Sequence, residues 1–326
     1  MRANANVLAD LYNRRPFSPL KGLMTSEAVA LPRAALVGNP SDGYYGKTIA
    51  FTFRDFSARV TVDEVTGLPL PETPLLGAAL EVFNSYCARM GSEVASDLAM
   101  LFESDIPYKL GLGGSSAIVI ACLRALAGHS GYDLSPEVMA DLALAAERDV
   151  LGIPAGLQDR VVQSIEGLVY MDFDRTLIEG RGFGEYVVLD PSELPLIYVA
   201  YMPDAAEGSE VTHSELRGRF EAGDPKVMSA IAEWKDLTDQ VRELLDSGKG
   251  AAIGPCLDRN FAIRRELGLA GAGTIAMAEA ARALGASANS AGSGGAIVGT
   301  YDGPEMFSQL VEALRQLGAS VIAPSI

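Results

Sequence analysis

Apolar positions along the chain alternate between two rhythms. Val29 to Val37 is largely apolar and runs into Gly38-Asn39-Pro40-Ser41-Asp42-Gly43, the pattern of a strand that ends in a turn. From Thr48 to Val62 the apolar residues alternate (Ile49, Phe51, Phe53, then Ala58, Val60 and Val62), which predicts a hairpin or one long bent strand. Leu76, Leu80, Phe83 and Cys87 recur at helical spacing over 75–90, and another strand is read over 97–104. A small-residue helix is predicted over 115–127. Ser135-Pro136-Glu137 starts a further helix: Ser supplies a capping oxygen, Pro fits the first turn, and the acid meets the positive helix end. That helix should reach Val150, where Gly152-Ile153-Pro154-Ala155-Gly156 breaks it. Strands follow at 167–173 and 184–189. Leu194 to Met202 is an unbroken apolar run, typical of a buried strand, and helices dominate after it (226–246, 250–267, 273–284, 304–317). A loop of small residues over 286–300 interrupts them. The strand-rich first half and helix-rich second half predict two α+β lobes, 1–192 (with 1–28 as an extension) and 193–326.

Composition narrows the chemistry. The 326 residues are 48% apolar and 21% charged, a globular balance. No run of about 18 apolar residues is present, so no membrane span is expected. The first residues lack an apolar stretch followed by a small-residue cleavage site, which makes a cytoplasmic location the expectation. Lys and Arg number 26 against 42 Asp and Glu, a net charge of −16. A field of that sign disfavours nucleic acid and anionic lipid as partners. An anionic small molecule would have to be drawn in by local cations, helix N-termini or a metal ion. Cys87, Cys122 and Cys256 lie far apart in apolar contexts and read as buried spacers. His129 and His213 sit beside no ligand-spaced carboxylate, and no G-x-S-x-G elbow occurs, which removes two-histidine zinc chemistry and the usual serine triad.

Three loops remain. Leu110-Gly111-Leu112-Gly113-Gly114-Ser115-Ser116-Ala117 follows a strand-like segment and opens a helix. Its glycines and first-turn amides would cradle an anion, or serve only as a packing turn. It is neither a Walker A loop nor G-x-G-x-x-G. Glu147 closes a helix and Asp159 follows in Gly156-Leu157-Gln158-Asp159-Arg160; a hydroxyl from Ser116 with Glu147 would suit Mg²⁺, and Asp159 would be free to accept a proton or orient a hydroxyl. Read singly, Glu147 is a helix acid beside Arg148, and Asp159 an N-cap. The third loop, Ser287 to Gly295, is framed so tightly by apolar runs that a close backbone contact across a cleft is expected.

In order and separation these loops resemble the signatures of the GHMP kinases: Pro32-Arg33 through Asp42, Gly111 to Ala117, and Ala291 to Ala296. Gly38-Asn39-Pro40-Ser41-Asp42 with Tyr45, Ala155 to Val161, Met171-Asp172-Phe173, and Arg259-Asn260-Phe261 with Arg264-Arg265 resemble the glucuronokinase branch. The resemblance implies two α+β lobes, the second ferredoxin-like, with ATP, Mg²⁺ and a sugar acid in the cleft. It implies Asp159 and Arg33 as catalytic residues, and Ser116 and Glu147 as metal ligands. Gly111, Leu112, Gly113, Gly114, Ser115, Ser116 and Ala117 would hold the nucleotide. The acceptor would meet Asp42, Asn39, Tyr45, Lys47, Arg160 and Arg264, one of whose cations would pair with the uronate carboxylate. The implied reaction is transfer of the γ-phosphoryl group of ATP to the anomeric hydroxyl of D-glucuronate. Another acceptor (a different uronate, a neutral aldose, a heptose phosphate) and a non-catalytic sensor on the same fold are the alternatives. With Arg33 nearby, Asp159 is expected to be a weak base.

Overall fold

The computed structural model describes residues 25–63, 73–92, 98–203 and 216–326. His213, nearly all of the 1–28 extension, and Asp97, where the fifth strand is read to begin, lie outside them. The apolar stretch at the start divides at Leu31-Pro32, since Pro has no N–H to continue a ladder. Its two pieces, β1 (Ser26–Ala30) and β2 (Arg33–Val37), enter different sheets.

The alternating segment that follows also divides, into β3 (Lys47–Thr52) and β4 (Ala58–Asp63). These two strands do not form a hairpin. β4 lies between β1 and β5 (Ala99–Ser104) in a three-stranded sheet, whereas β3 joins β2, β6 (Leu168–Asp172) and β7 (Glu185–Leu189) in the order β2-β3-β6-β7. Phe53 and Phe56 pack edge to face at the corner, ring centroids 6.3 Å apart, where the chain changes sheet. All pairings in both sheets are antiparallel.

Helices cover these sheets. α1 (Pro74–Arg89) packs on α2 (Gly114–Ser130), which lies against β1 and β4 and has Val119, Ile120, Leu123 and Leu126 fully buried. α3 (Pro136–Ala145) starts as read, with Ser135 Oγ accepting from the Val138 amide, and ends in a widened π-type turn, Ala146–Val150. After the break at 152–156 the chain becomes helical again in α4 (Leu157–Ile165), packed on α3 and α2, a helix the apolar pattern did not reveal. A short α5 (Arg175–Arg181) follows β6.

The second half holds β8 (Ile197–Tyr201), α6 (Pro225–Asp246), α7 (Gly254–Glu266), α8 (Ala272–Ala283), β9 (Asn289–Ser290), β10 (Ala296–Thr300), α9 (Gly303–Gln316) and β11 (Ser320–Ile322). Its antiparallel sheet runs β11-β8-β10-β9, that is fourth, first, third, second, the strand order of a ferredoxin-like unit. β8 is central and buried, as its unbroken apolar sequence predicts. α6 lies across β2 and β3, where its fully buried Trp234 donates to the Asn260 carbonyl at 3.4 Å and Thr238 Oγ1 donates to the Lys47 carbonyl at 3.1 Å. One apolar core therefore runs from β1 through α6 and α7 to β10, and a second lies between the last sheet and α8 and α9. The three cysteines are all buried. Among the described residues no helix is long and apolar enough to cross a membrane.

Candidate active site

Arg33 is the residue around which the loops assemble. It opens β2, is 4% exposed, and spends its guanidinium in three directions. Nε donates to Asp159 Oδ1 and Nη2 to Asp159 Oδ2, each at 2.6 Å. Nη1 donates to the carbonyls of Gly111 (2.6 Å) and Ala291 (2.7 Å). The backbone repeats the link: the Arg33 amide donates to Leu112 O and the Ala35 amide to Ala291 O. A planar fork of fixed donors can hold one carboxylate bidentately and still reach two carbonyls. The close contact read for 287–295 is thus made between the two glycine loops. Gly292 is required there, because a Cβ would strike both Gly111 O and Arg33 Nη1.

Asp159 stands in the first turn of α4 and is not its cap. Gly156 precedes the helix, and a Cβ on it would collide with Asp42 Oδ2. Asp42 sits in the single turn Ser41–Tyr44, and its Oδ2 accepts from the Gln158 amide at 3.3 Å. One of the orphan amides of the first turn of α4 is thereby satisfied by Asp42 of the first loop. The helix escaped detection because Gln158, Arg160 and Gln163 are buried along with Val161 and Val162, so polar residues interrupt its buried face.

Glu147 lies in the widened turn after α3 and is fully buried. Arg160 pairs with its Oε2 through Nε (2.7 Å) and Nη2, and also donates to the Gly156 carbonyl. Ser115 Oγ donates to Glu147 Oε1 at 2.7 Å. Ser116 does not reach Glu147. Its hydroxyl is fully buried and bonds to Gln163 Oε1 at 2.5 Å, with the Gly113 carbonyl at 3.1 Å. Neighbouring residues of a helix point about 100° apart, so only one of the two serines can face Glu147, and that one is the exposed Ser115. Ser116 and Glu147, the metal-ligand pair expected from the sequence, are thus not in contact, and the hydroxyl that meets Glu147 is that of Ser115. The hard hydroxyl and carboxylate oxygens of Ser115 and Glu147, at the opening of the cradle, suit Mg²⁺, which keeps waters and phosphate oxygens in most of its shell. Among the described residues no group of three or more His, Cys, Asp and Glu side chains is placed to hold a metal ion.

Charge is distributed unevenly. Burial pushes the Asp159 carboxyl up, but the charges of Arg33 and Arg160, with hydrogen bonds from Arg33 and Gln158, outweigh it and bring it down to about 2. Asp42 moves the other way, to about 6, through burial and the negative charge of Asp159; the Gln158 amide, Arg160 and Arg33 compensate only in part. Arg160 is itself held firmly charged: burial works against it, yet Glu147 and Asp159 prevail.

The remaining acceptor candidates separate into two groups. Asn39 faces the Asp159 network, donating from Nδ2 to Gln158 Oε1 at 3.5 Å and accepting at Oδ1 from Arg264 Nη1 at 2.5 Å. Arg264 lies behind it, 2% exposed, and also donates to Gly292 O. Lys47 instead directs its ammonium to Asp239 (2.6 Å) and Asp172 (3.6 Å), and Tyr45, in a left-handed conformation, stacks beside Arg175. Gln158, Gln163, Asn260 and Asn289 were not foreseen. Asn260 accepts from the Gly38 amide and donates to Asn289 Oδ1, and Asn289 donates to Leu36 O, so buried amides join the first loop to the third. The Arg259-Asn260-Phe261 segment pointed to this region without revealing that its asparagine is the bridge.

Comparison with known proteins then decides the family. The chain is 33% identical over 321 residues to probable glucuronokinase 2 of Arabidopsis thaliana, with 88% of this chain and 87% of that protein covered. The chain belongs to the GHMP kinases. The GHMP kinase N-terminal domain matches residues 75–167, which include the cradle, Glu147 and Asp159 of this GHMP kinase. Glucuronokinase 1 of the same plant is 32% identical, with 90% and 91% covered. Among solved structures, the Streptococcus pneumoniae phosphomevalonate kinase in complex with phosphomevalonate and AMPPNP superposes with a TM-score of 0.76 at 14% identity, over 91% of this chain and 98% of that one. The two-lobed α+β fold is shared with it. As a GHMP kinase the chain uses ATP and Mg²⁺.

Proposed function

We propose that this GHMP kinase transfers the γ-phosphoryl group of ATP to the anomeric hydroxyl of D-glucuronate, giving glucuronate 1-phosphate and ADP. The observation that carries the reading is the Arg33–Asp159 pair, clamped between two glycine loops beside an acceptor loop that holds Asp42. The similarity to two glucuronokinases over nearly the whole chain supports the acceptor.

The first-turn amides of α2 have no helical acceptors and receive phosphate oxygens in the glycine cradle. Ser115 and Glu147 would hold Mg²⁺, which would supply positive charge against the transferring group. Asp159, ionised at neutral pH, accepts the hydrogen bond of the acceptor hydroxyl and aims its oxygen at the γ-phosphorus. A carboxylate held near 2 is a poor base toward a free hydroxyl. In a loose phosphoryl transfer the proton leaves late, when the oxygen has become acidic through bonding to phosphorus, so orientation outranks basicity. Arg33 fixes that carboxylate and adds positive potential at the point of transfer. Asp42, when ionised, accepts from the acceptor's other hydroxyls.

The test is an ADP-release assay with MgATP over a panel of uronic acids and matching neutral sugars, with ³¹P NMR identifying the product. Preferred turnover of glucuronate to the 1-phosphate supports the reading. Preference for a neutral sugar, or phosphorylation at another hydroxyl, overturns it.

A further inference from the structure

An arginine has only donors, and this fixes the direction of a chain of amides that ends on Asp159. Arg264 Nη1 donates to Asn39, so the atom it meets is the carbonyl oxygen Oδ1 and the Asn39 NH₂ points away from it. That NH₂ faces Gln158, so the Gln158 atom it meets is Oε1, at 3.5 Å. The Gln158 NH₂ is then left facing Asp159 Oδ1, at 3.3 Å, the oxygen that also accepts from Arg33 Nε. We infer that Arg264, Asn39 and Gln158 are positioning residues: a polarised chain from α7 presents an N–H to Asp159 and keeps its carboxylate turned to the acceptor. Asn39 and Arg264 thereby act through Gln158, rather than as contacts to the sugar acid.

The backbone makes the chain separable from acceptor binding. Asp42 is anchored by the Gln158 main-chain amide, which every side-chain substitution leaves in place. Gln158 and Arg264 are 1% and 2% exposed, so water does not readily substitute for a missing member. Asn39→Asp is the informative variant. The new carboxylate accepts from Arg264 at least as well as the amide oxygen did, but it has no N–H for Gln158. The Gln158 amide then turns its NH₂ toward position 39 and its carbonyl oxygen toward Asp159, and the donor is lost.

This inference rests on the proposed transfer for its kinetic test. Asn39→Asp and Gln158→Met should each lower kcat about 10- to 100-fold, the usual worth of a hydrogen bond to a charged group, with KM for acceptor and for ATP within about twofold of wild type. The double variant should be no slower than the slower single one, because both remove the same donor. An effect confined to acceptor KM, or losses that multiply, overturns the inference. Side-chain ¹⁵N NMR, with the Gln158 amide pair assigned by its loss in Gln158→Met, tests the chain without turnover. The pair should shift in Asn39→Asp, and an unmoved pair overturns the inference. A wild-type protein inactive on every acceptor would sink the proposed transfer alone, leaving the NMR arm to judge the chain.

Discussion

Replacing Ser115 and Ser116 by alanine, one at a time, separates two roles that neighbouring hydroxyls of one helix turn hold. Ser115 is exposed and gives its hydrogen to Glu147 Oε1 at 2.7 Å. Removing it takes a donor from the fully buried Glu147 carboxylate, so the folded state should lose about 1–3 kcal/mol. If Ser115 and Glu147 hold the metal, the Mg²⁺ concentration for half-maximal rate should also rise at least about 10-fold, since even groups behind the ligands are worth 10- to 100-fold. Ser116 differs in its expected Mg²⁺ dependence. It is wholly buried, and its loss strips Gln163 Oε1 of a donor at 2.5 Å. An unpaired buried acceptor costs about 1–3 kcal/mol, which for a chain of this size lowers the unfolding midpoint by about 1.5–4.5 °C. Its Mg²⁺ requirement should stay at the wild-type value. Thermal unfolding followed by circular dichroism and a Mg²⁺ titration of the steady-state rate read both quantities on the same preparations. A raised Mg²⁺ requirement in Ser116→Ala with an unchanged one in Ser115→Ala would refute the assignment and restore the pairing read from sequence.

Gly156→Ala should push Asp42 away from α4, because the added Cβ collides with Oδ2; acceptor KM is expected to rise about 10- to 100-fold at unchanged ATP KM, and an unaltered acceptor KM would remove Asp42 from acceptor binding. Arg160→Met leaves Glu147 buried without its cation, so the urea midpoint should drop by the equivalent of about 3–5 kcal/mol, and a drop below about 1 kcal/mol would show that the pair is dispensable to the fold. Asp42, raised from 3.8 to about 6, binds its proton more tightly in the folded chain. The stability that this proton contributes is present below about pH 4 and is lost as pH rises through 6, at most about 3 kcal/mol. Asp42→Asn should abolish that loss in denaturant titrations between pH 4 and 7, whereas an identical slope in the variant would place the titration elsewhere. Asp159→Asn should keep ATP binding, measured by calorimetry, while turnover drops at least about 100-fold; full turnover would take Asp159 out of the transfer step.

The segments legible in sequence were those whose burial follows one simple rule. β8 is buried on both faces and reads as an unbroken apolar run. α3 announces its own start with Ser135-Pro136-Glu137. The glycine cradle and the third loop were legible because close backbone approach demands residues without side chains, as Gly292 shows. α4 was not, because most of its buried face is polar, and polar burial is decided by partners that no local pattern contains. The same holds for the serines: sequence supplies two hydroxyls, and only the rotation of α2 about its axis assigns one to Glu147 and the other to Gln163. The partners of the cations were hidden for a related reason. Lys47, Arg160 and Arg264 each looked available for a substrate carboxylate, yet each holds a partner supplied by a distant part of the chain: Asp239, Glu147 and Asn39.

That engagement constrains how the site can meet an anion. Two guanidinium groups, Arg33 and Arg160, stand among three carboxylates, Asp159, Glu147 and Asp42. With Asp42 ionised the cluster is net negative, in a chain whose charge is already −16. Long-range attraction cannot bring a nucleotide there; the amides of the α2 first turn act only within a few ångströms. ATP should therefore arrive as its magnesium complex, with part of its charge already neutralised. The MgATP association rate should therefore hold level or rise with salt, because screening weakens repulsion of the anion and no net positive field is there to be lost. Stopped-flow binding between 20 and 500 mM salt measures it, at concentrations chosen so that the Debye length changes by about fivefold. A steep fall in the rate across that range would mean that a positive field does reach the nucleotide, and would send the search for its source to cations outside this cluster.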